Sequence, residues 1–277
     1  MAILDFATQA DNYITWKGTD EWHTGENYDF SMFPYSVYNV VVTPKSLEVT
    51  GVEQTLGVFS QTTNNNTIEP ISKTFEFSEK TIDTVSNTTT NGVSTTNSIQ
   101  ATTSAKITVK VAETNKTFQT TLSTTYNFSN SITETHTTEK LWKDSVTYDI
   151  PPHYSAIAIY TVVGVKYVVP VYLECDIKGQ GYEDGWDNLL CRKMFDTPGY
   201  DERSIANAAE LSRTEWPSHP PQFQYQGVED VLHFKGDATT DSLQGYESFL
   251  TVTMDPLPGY KGEKIVYTTR PKLINFN

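Results

Sequence analysis

Cysteine is scarce in this sequence: Cys175 and Cys191 are the only two, too few for a disulfide scaffold or a cysteine-only metal site. Two reduced, partly buried thiols are expected, with one disulfide as the alternative. No apolar run approaches the roughly 18 residues of a membrane-spanning helix. The opening AILDFATQADNY has neither a basic leader nor an apolar stretch, so no secretory signal is visible. Histidines 23, 136, 153, 219 and 233 form no HExxH pattern, and there is no GxSxG elbow. No catalytic residue, metal or cofactor is therefore expected. Positive charge is also in short supply, with 20 Lys and Arg against 34 Asp and Glu and a net charge of -14. Such a balance excludes nucleic acid as a partner and disfavours simple electrostatic docking on anionic lipid.

What is present is β-forming and half-polar. Apolar residues make up 37% of the 277 positions and aromatics 12%, enough for a core. Thr, Ser and Asn are abundant, which fits two-faced strands better than helices. SVYNVVVTPKSLEVT and EQTLGVFSQT read as strands punctuated by Pro44 and Gly51. SVTYDIPPHYSAIAIYTVVGVKYVVPVYLECDIKG is long-strand material, bent at Pro151–Pro152 and Gly164, with Pro170 implying a bulge or an edge. GQGYEDGWDN lacks both the helix of a dinucleotide site and the ligand order of a calcium loop, and reads as a surface turn. In DERSIANAAELSRTEWP, Ile205, Ala208, Ala209 and Ser212 share one face at helical spacing. Asp201 or Ser204 is the candidate cap and Pro217 the stop, so the one substantial helix is expected there. FQYQGVEDVLHFKG, YESFLTVTMD and EKIVYTTRP return to strands.

Ser and Thr make up nearly half of residues 72–139, a composition that alone would suggest disorder. Periodicity says otherwise. In NSIQATTSAKITVKVAETNKTFQTTLSTTYNFSNS, Ile99, Ala101, Thr103, Ala105, Ile107, Val109 and Val111 alternate with Gln100, Thr102, Ser104, Lys106, Thr108 and Lys110. Beyond the turn-like Ala112, Glu113, Thr114, Asn115, Lys116 and Thr117, the pattern resumes. Phe118, Thr120, Leu122, Thr124, Tyr126, Phe128 and Ile132 alternate with Gln119, Thr121, Ser123, Thr125, Asn127 and Ser129. Side chains alternate across a strand, so this is a hairpin with one apolar and one polar face. Each arm exceeds the roughly 9–11 residues a tilted strand needs to cross a bilayer. Between Thr84 and Thr133 the only charged residues are Lys106, Lys110, Glu113 and Lys116, none on the apolar face. A sheet with one buried and one solvated face gives the same pattern. A closed ring of such hairpins would instead span lipid without leaving edge groups unpaired.

The same stretch, with TTTNGVSTT before it and PPHYSAIAIY after it, resembles the insertion region of aerolysin-like β-pore-forming toxins. The nearest branch is that of epsilon-toxin and mosquitocidal toxin, with parasporins and related bacterial crystal proteins; the resemblance covers Ser72 to Gly179. It implies a mainly β, elongated architecture of long antiparallel strands and a β-sandwich, with a small mixed head containing one short helix. The head is assigned to 1–45 plus 179–225, the long-strand and sandwich domains to 46–93, 134–178 and 226–277, and the hairpin to 94–133. The implied activity is receptor binding through a protein, glycan or lipid-anchored receptor, activation by a protease, homo-oligomerisation and insertion of one hairpin per subunit into a membrane barrel. Ile99, Ala101, Ala105, Ile107, Val109, Val111, Phe118, Leu122, Tyr126 and Phe128 would face lipid. Gln100, Thr102, Ser104, Lys106, Lys110, Gln119, Thr121, Ser123 and Thr125 would face the lumen. The tip departs from the family pattern: Glu113 and Lys116 stand where bulky apolar residues are common. Accumulation as a crystal inclusion and action at the target-cell plasma membrane are also implied, with a non-lytic lectin-like or storage protein as the rival.

The N-terminal aromatics Tyr13, Trp16, Trp22, Tyr28 and Tyr35 are either a receptor-binding platform or the head's small core. Lys17, Lys261, Lys264, Arg270 and Lys272 are candidate processing sites near the two ends of the chain.

Overall fold

The computed structural model describes residues 2–20, 25–197 and 200–273. The chain begins with strand β1 (Ala2–Asp5), the 15-residue helix α1 (Phe6–Asp20), β2 (Glu26–Met32) and β3 (Tyr35–Pro44). The long strands β4 (Glu48–Asn65) and β5 (Ile71–Ser94) lead to β6 (Gln100–Val111) and β7 (Thr117–Asn127), then β8 (Glu134–Ile150) and the 26-residue β9 (Tyr154–Gly179). After β10 (Gly181–Glu183), β11 (Trp186–Thr197) and β12 (Tyr200–Asn207) come one 3-10 turn (Ala209–Ser212) and β13 (Phe223–Gln224). β14 (Val231–Pro256), β15 (Ile265–Thr268) and β16 (Lys272–Leu273) follow. The architecture is mainly β and elongated, as expected; a fully extended 26-residue strand reaches roughly 85 Å.

Twelve strands form one sheet with the order β1-β5-β14-β9-β4-β6-β7, β8 pairing with β5 and β3 with β9. A small second sheet holds β2, β10, β11 and β12. β9 and β14 pair over their whole lengths and form the spine. Along β9 the buried positions change parity. Ala156, Ala158, Tyr160 and Val162 are buried in its first half, then Val165, Tyr167, Val169, Val171, Leu173, Cys175 and Ile177 in its second. The spine thus covers one face near Tyr154 and the opposite face near Gly179. The first face packs against Phe75, Phe77, Trp142 and Ile150 of the β5–β8 ribbon, which makes a β-sandwich. The second packs under the β6–β7 hairpin and against the head.

The switch falls at Gly164. Both neighbouring strands carry a bulge opposite it, between Thr55 and Gly57 in β4 and between Gly245 and Glu247 in β14. Leu56, the extra residue of the first bulge, lies over Gly164, where an added Cβ would come within 2.8 Å of its side chain.

Several expectations are corrected. The helix is α1, not 204–216: Ile205 belongs to β12, which pairs with β11, and helical geometry there lasts one 3-10 turn. Asn207 and Glu210 exchange backbone-to-side-chain hydrogen bonds of 3.1 Å, a real capping box over a single turn. Asp201, the other proposed cap, lies within β12. Gly51 does not break its strand; it sits inside β4 because an added Cβ would lie 2.2 Å from Val165. Pro170 is not at a bulge, but it does sit at a local open edge of β9. It lies inside β9, where β3 has ended at Pro44 and β4 has not yet begun pairing at Gly51, so no ladder donor is lost. Pro151 and Pro152 do bend the chain between β8 and β9.

Candidate functional site

β6 and β7 pair over Gln100–Lys110, setting Ala101 opposite Tyr126, Thr103 opposite Thr124, Ala105 opposite Leu122, Ile107 opposite Thr120 and Val109 opposite Phe118. The parity seen in the sequence is the parity of burial over β6 and β7; Ile132, placed on the apolar face, lies beyond β7 and is 70% exposed. Ile99, Ile107, Val109, Val111, Leu122, Tyr126 and Phe128 are buried, with Ala101, Ala105 and Phe118 half-buried. Gln100, Thr102, Ser104, Lys106, Lys110, Gln119, Thr121, Ser123 and Thr125 all point to water. On that outer face Thr102 and Thr125 hydroxyls bond at 2.7 Å, a cross-strand pair of the kind that fixes register.

The covered face is held by hydroxyls as much as by hydrocarbon. Asn87 of β5 donates to Thr124 and accepts from Thr240 of β14 at 2.7 Å, and Thr240 also bonds the Tyr126 hydroxyl. Thr120 donates to Gln244 at 3.0 Å. Phe118 stacks on Tyr246 with ring centres 5.5 Å apart and meets Tyr167 edge-on. Burial pushes the Tyr167 and Tyr246 hydroxyls above the usual tyrosine range, with the Glu53 carboxylate adding to the effect at Tyr246.

The tip residues Ala112, Glu113, Thr114, Asn115 and Lys116 are exposed, and Asn115 takes the left-handed conformation (φ 55°) that closes the turn. The tip is nevertheless tied down. Glu113 accepts the Glu53 amide at 3.2 Å, Thr114 donates to the Glu53 carboxylate at 3.3 Å, and Lys116 pairs with the buried Glu247. One short parallel ladder joins β6 to the rest of the sheet, Glu48–Gly51 of β4 beside Thr108–Val111.

The four described N-terminal aromatics, Tyr13, Trp16, Tyr28 and Tyr35, differ in exposure and do not form one exposed platform. Tyr13 is fully buried between Trp16 and Trp216, its hydroxyl on Glu210, so for Tyr13 the core reading replaces the receptor one. Trp16 is half-buried beside it, and Tyr35 is half-buried with its hydroxyl near Thr96. Tyr28 is exposed; Trp22 lies outside the described residues. Among the described residues, the exposed aromatics that escaped the sequence reading include Tyr182, Trp186 and Tyr225. The signal for Trp186 was its place right after Asp184-Gly185, a dipeptide that makes a two-residue hairpin turn and presents the next side chain. Cys175 and Cys191 are free and buried, their thiols pushed up to about 12 by burial. Among the described residues no group of His, Cys, Asp and Glu could hold a metal, and no helix is long and apolar enough to cross a membrane.

An alternating hairpin of this length laid on a bulged spine is a specific combination, and it has counterparts. The family profile described as Clostridium epsilon toxin ETX/Bacillus mosquitocidal toxin MTX2 matches residues 26–266. The chain belongs to this family. As an ETX/MTX2 member it is a toxin of the pore-forming kind, on a scaffold not known for enzymatic activity. It is 30% identical over 248 residues to pesticidal crystal protein Cry15Aa of Bacillus thuringiensis subsp. thompsoni, covering 85% of this chain and 68% of that one. The ETX/MTX2 fold recurs in the Cry23Aa1 and Cry37Aa1 binary complex (TM-score 0.69, 24% identity, 99% of both chains). It recurs too in a non-toxic crystal protein from Bacillus thuringiensis (TM-score 0.68, 18% identity, 94% of this chain and 100% of that one). The β-pore-forming protein Mpp75Aa1.1 from Brevibacillus laterosporus shares it at TM-score 0.57 and 19% identity, over 99% of this chain and 98% of that one.

Proposed function

We propose that the protein forms membrane pores by releasing the β6–β7 hairpin and pooling it with those of other copies in a transmembrane β-barrel. The observation that carries this is the sorting of the hairpin's two faces. One is a covered face of small and apolar residues free of charge; the other is an exposed Ser, Thr, Gln and Lys face fit for a water-filled lumen. The covered face carries Ala101, Thr103, Ala105, Thr120 and Thr124 among its apolar residues, so lifting it leaves behind a modest hydrophobic debt. A barrel would satisfy the strand edges that a lone hairpin leaves open in lipid.

Proteolytic activation and assembly follow from the far end of the chain. β15 and β16 pair with β14 at Thr251–Met254 and at Glu247–Ser248, along the side of β14 turned away from β9. Cleavage near Lys261 or Lys264 would free that edge for strand pairing with a second copy. Target-cell binding would be the work of the head, assigned to 1–45 and 179–225. Storage as a crystal inclusion is supported by the relatives named as crystal proteins.

The rival reading is a non-lytic binding or storage protein. The ties from Glu113, Thr114 and Lys116 to Glu53 and Glu247 favour it, because a charged, anchored tip resists entry into lipid. Leakage of dye from susceptible cells and from liposomes, before and after limited proteolysis, separates the two. Detergent-resistant oligomers with leakage support the pore; a permanent monomer with no leakage under any protease supports the rival.

A further inference from the structure

A cleft between the head and the start of β14, remote in sequence from the hairpin, has the make-up of a ligand site. β10 turns into β11 through Asp184 and Gly185, at φ 47° and 86°, and the turn leaves Trp186 63% exposed. Trp186, Asn188, Arg203, Asn207, Glu229 and Asp230 line a cavity of about 620 Å³. An adjoining hollow of about 400 Å³ shares Asn207, Glu229 and Asp230 with it and runs on to Tyr225, which is 58% exposed. The result is one groove with an exposed aromatic ring toward each end, in the size range of small-molecule sites.

Its centre is Asp230. Asn188 donates to one carboxylate oxygen at 2.9 Å and Asn207 to the other at 2.7 Å, and among the described residues no cation pairs with it. Asn207 is itself fixed by its reciprocal bonds with Glu210. Asn188 and Asp230 both stand in the left-handed region, at φ 60° and 61°, which Asn and Asp tolerate better than other non-glycine residues, and their side chains bond each other. A carboxylate oriented by neutral amides keeps a lone pair on each oxygen for an incoming hydroxyl. An indole face beside it suits the C–H face of a sugar ring, just as the carboxylate suits its hydroxyls. Lys17, Arg203 and Arg213 also line the two hollows, but Lys17 and Arg213 pair with Glu210 and Arg203 with Glu183 and Asp184. Glu229 and Asp230, paired with no cation among the described residues, disfavour anionic sugars.

We propose that this cleft binds a neutral or N-acetylated pyranose residue of a glycan. The proposal rests on the reading of the head as the surface-binding part, and it moves the binding residues from the N-terminal aromatics to Trp186 and Asp230.

The test applies the intact soluble chain to an array of neutral, N-acetylated, sialylated and sulfated glycans, then titrates the best neutral glycan by calorimetry. Trp186→Ala removes an exposed ring, and Asp230→Asn changes charge without changing shape; circular dichroism verifies that both fold. Each is expected to weaken binding about tenfold or more. No neutral glycan bound, unchanged affinity in both variants, or preference for sialylated glycans would overturn the proposal. Leakage without glycan binding overturns the cleft and leaves the pore standing. Glycan binding that depends on Trp186, without leakage, supports the cleft and counts against the pore.

Discussion

Lys116, at the turn of the hairpin, donates to Glu247 in the middle of β14 at 2.5 Å, and Glu247 is only 4% exposed. The charges that set this tip apart from its family's pattern are therefore in use in the folded monomer. Glu113 and Lys116 hold the hairpin to two strands of the body, β4 and β14.

Lys116→Ala leaves Glu247 buried beside no cation. Losing one partner of such a pair costs about 2–3 kcal/mol, expected here as faster deuterium exchange along β6 and β7. Glu247→Gln keeps an acceptor and should be milder. Unchanged exchange in both variants would remove the clasp from the account.

Asn87 and Thr124 are hydrogen-bonded across the covered face. Paired cysteines at these positions should lock the hairpin down and abolish leakage, with activity restored by reductant. The native thiols will not compete, being buried and protonated at neutral pH. Full leakage from the oxidised double variant would show that the hairpin never has to leave.

In the assembled pore, single cysteines at Gln119 and Ser123 should react with water-soluble maleimide, whereas dyes at Leu122 and Tyr126 should report a lipid environment. These pairs alternate on one strand, so a reversed pattern is incompatible with the assigned faces.

The fold should weaken in alkali. Cys175 and Cys191 hold their protons up to about pH 12 when folded but lose them near pH 9 when unfolded, so between those limits the unfolded chain binds fewer protons. Their contribution is complete below pH 9 and declines above it by about 1.4 kcal/mol per unit for each thiol. Tyr167 and Tyr246 act in the same direction above the ordinary tyrosine range. Urea midpoints from pH 8 to 11.5 should fall steadily, less so in a Cys175→Ala, Cys191→Ala variant. A flat profile contradicts the burial of these groups.

The hairpin was legible because a period of two sustained over both arms leaves little choice of face. The helix α1 was not. Its buried stripe runs through Phe6, Ala10, Tyr13, Ile14 and Gly18, and the small side chains in it weaken the apolar signal. Its start was written in Asp5, whose carboxylate caps the Thr8 amide at 2.7 Å and is kept below its ordinary pKa by Thr8. The false helix had the opposite fault, with true capping at Asn207 and Glu210 but a strand pairing upstream that no local pattern reveals. The change of buried face at Gly164 was equally hidden, because β9 is apolar on both sides and only its partners show which side is covered where.

The short parallel ladder between Glu48–Gly51 and Thr108–Val111 sets how the hairpin can depart. β6 and β7 are bonded to each other along their length, whereas their backbone ladder to the remaining sheet spans four residues, at the end next to the tip. In the proposed pathway, once that seam, the tip's ties to Glu53 and Glu247 and the side-chain bonds from Thr120, Thr124 and Tyr126 to Gln244, Asn87 and Thr240 open, the pair would swing outward as an intact ribbon. In the proposed pore, the register seen in the monomer would then be the register delivered to the membrane, with no strand having to be rebuilt on the way.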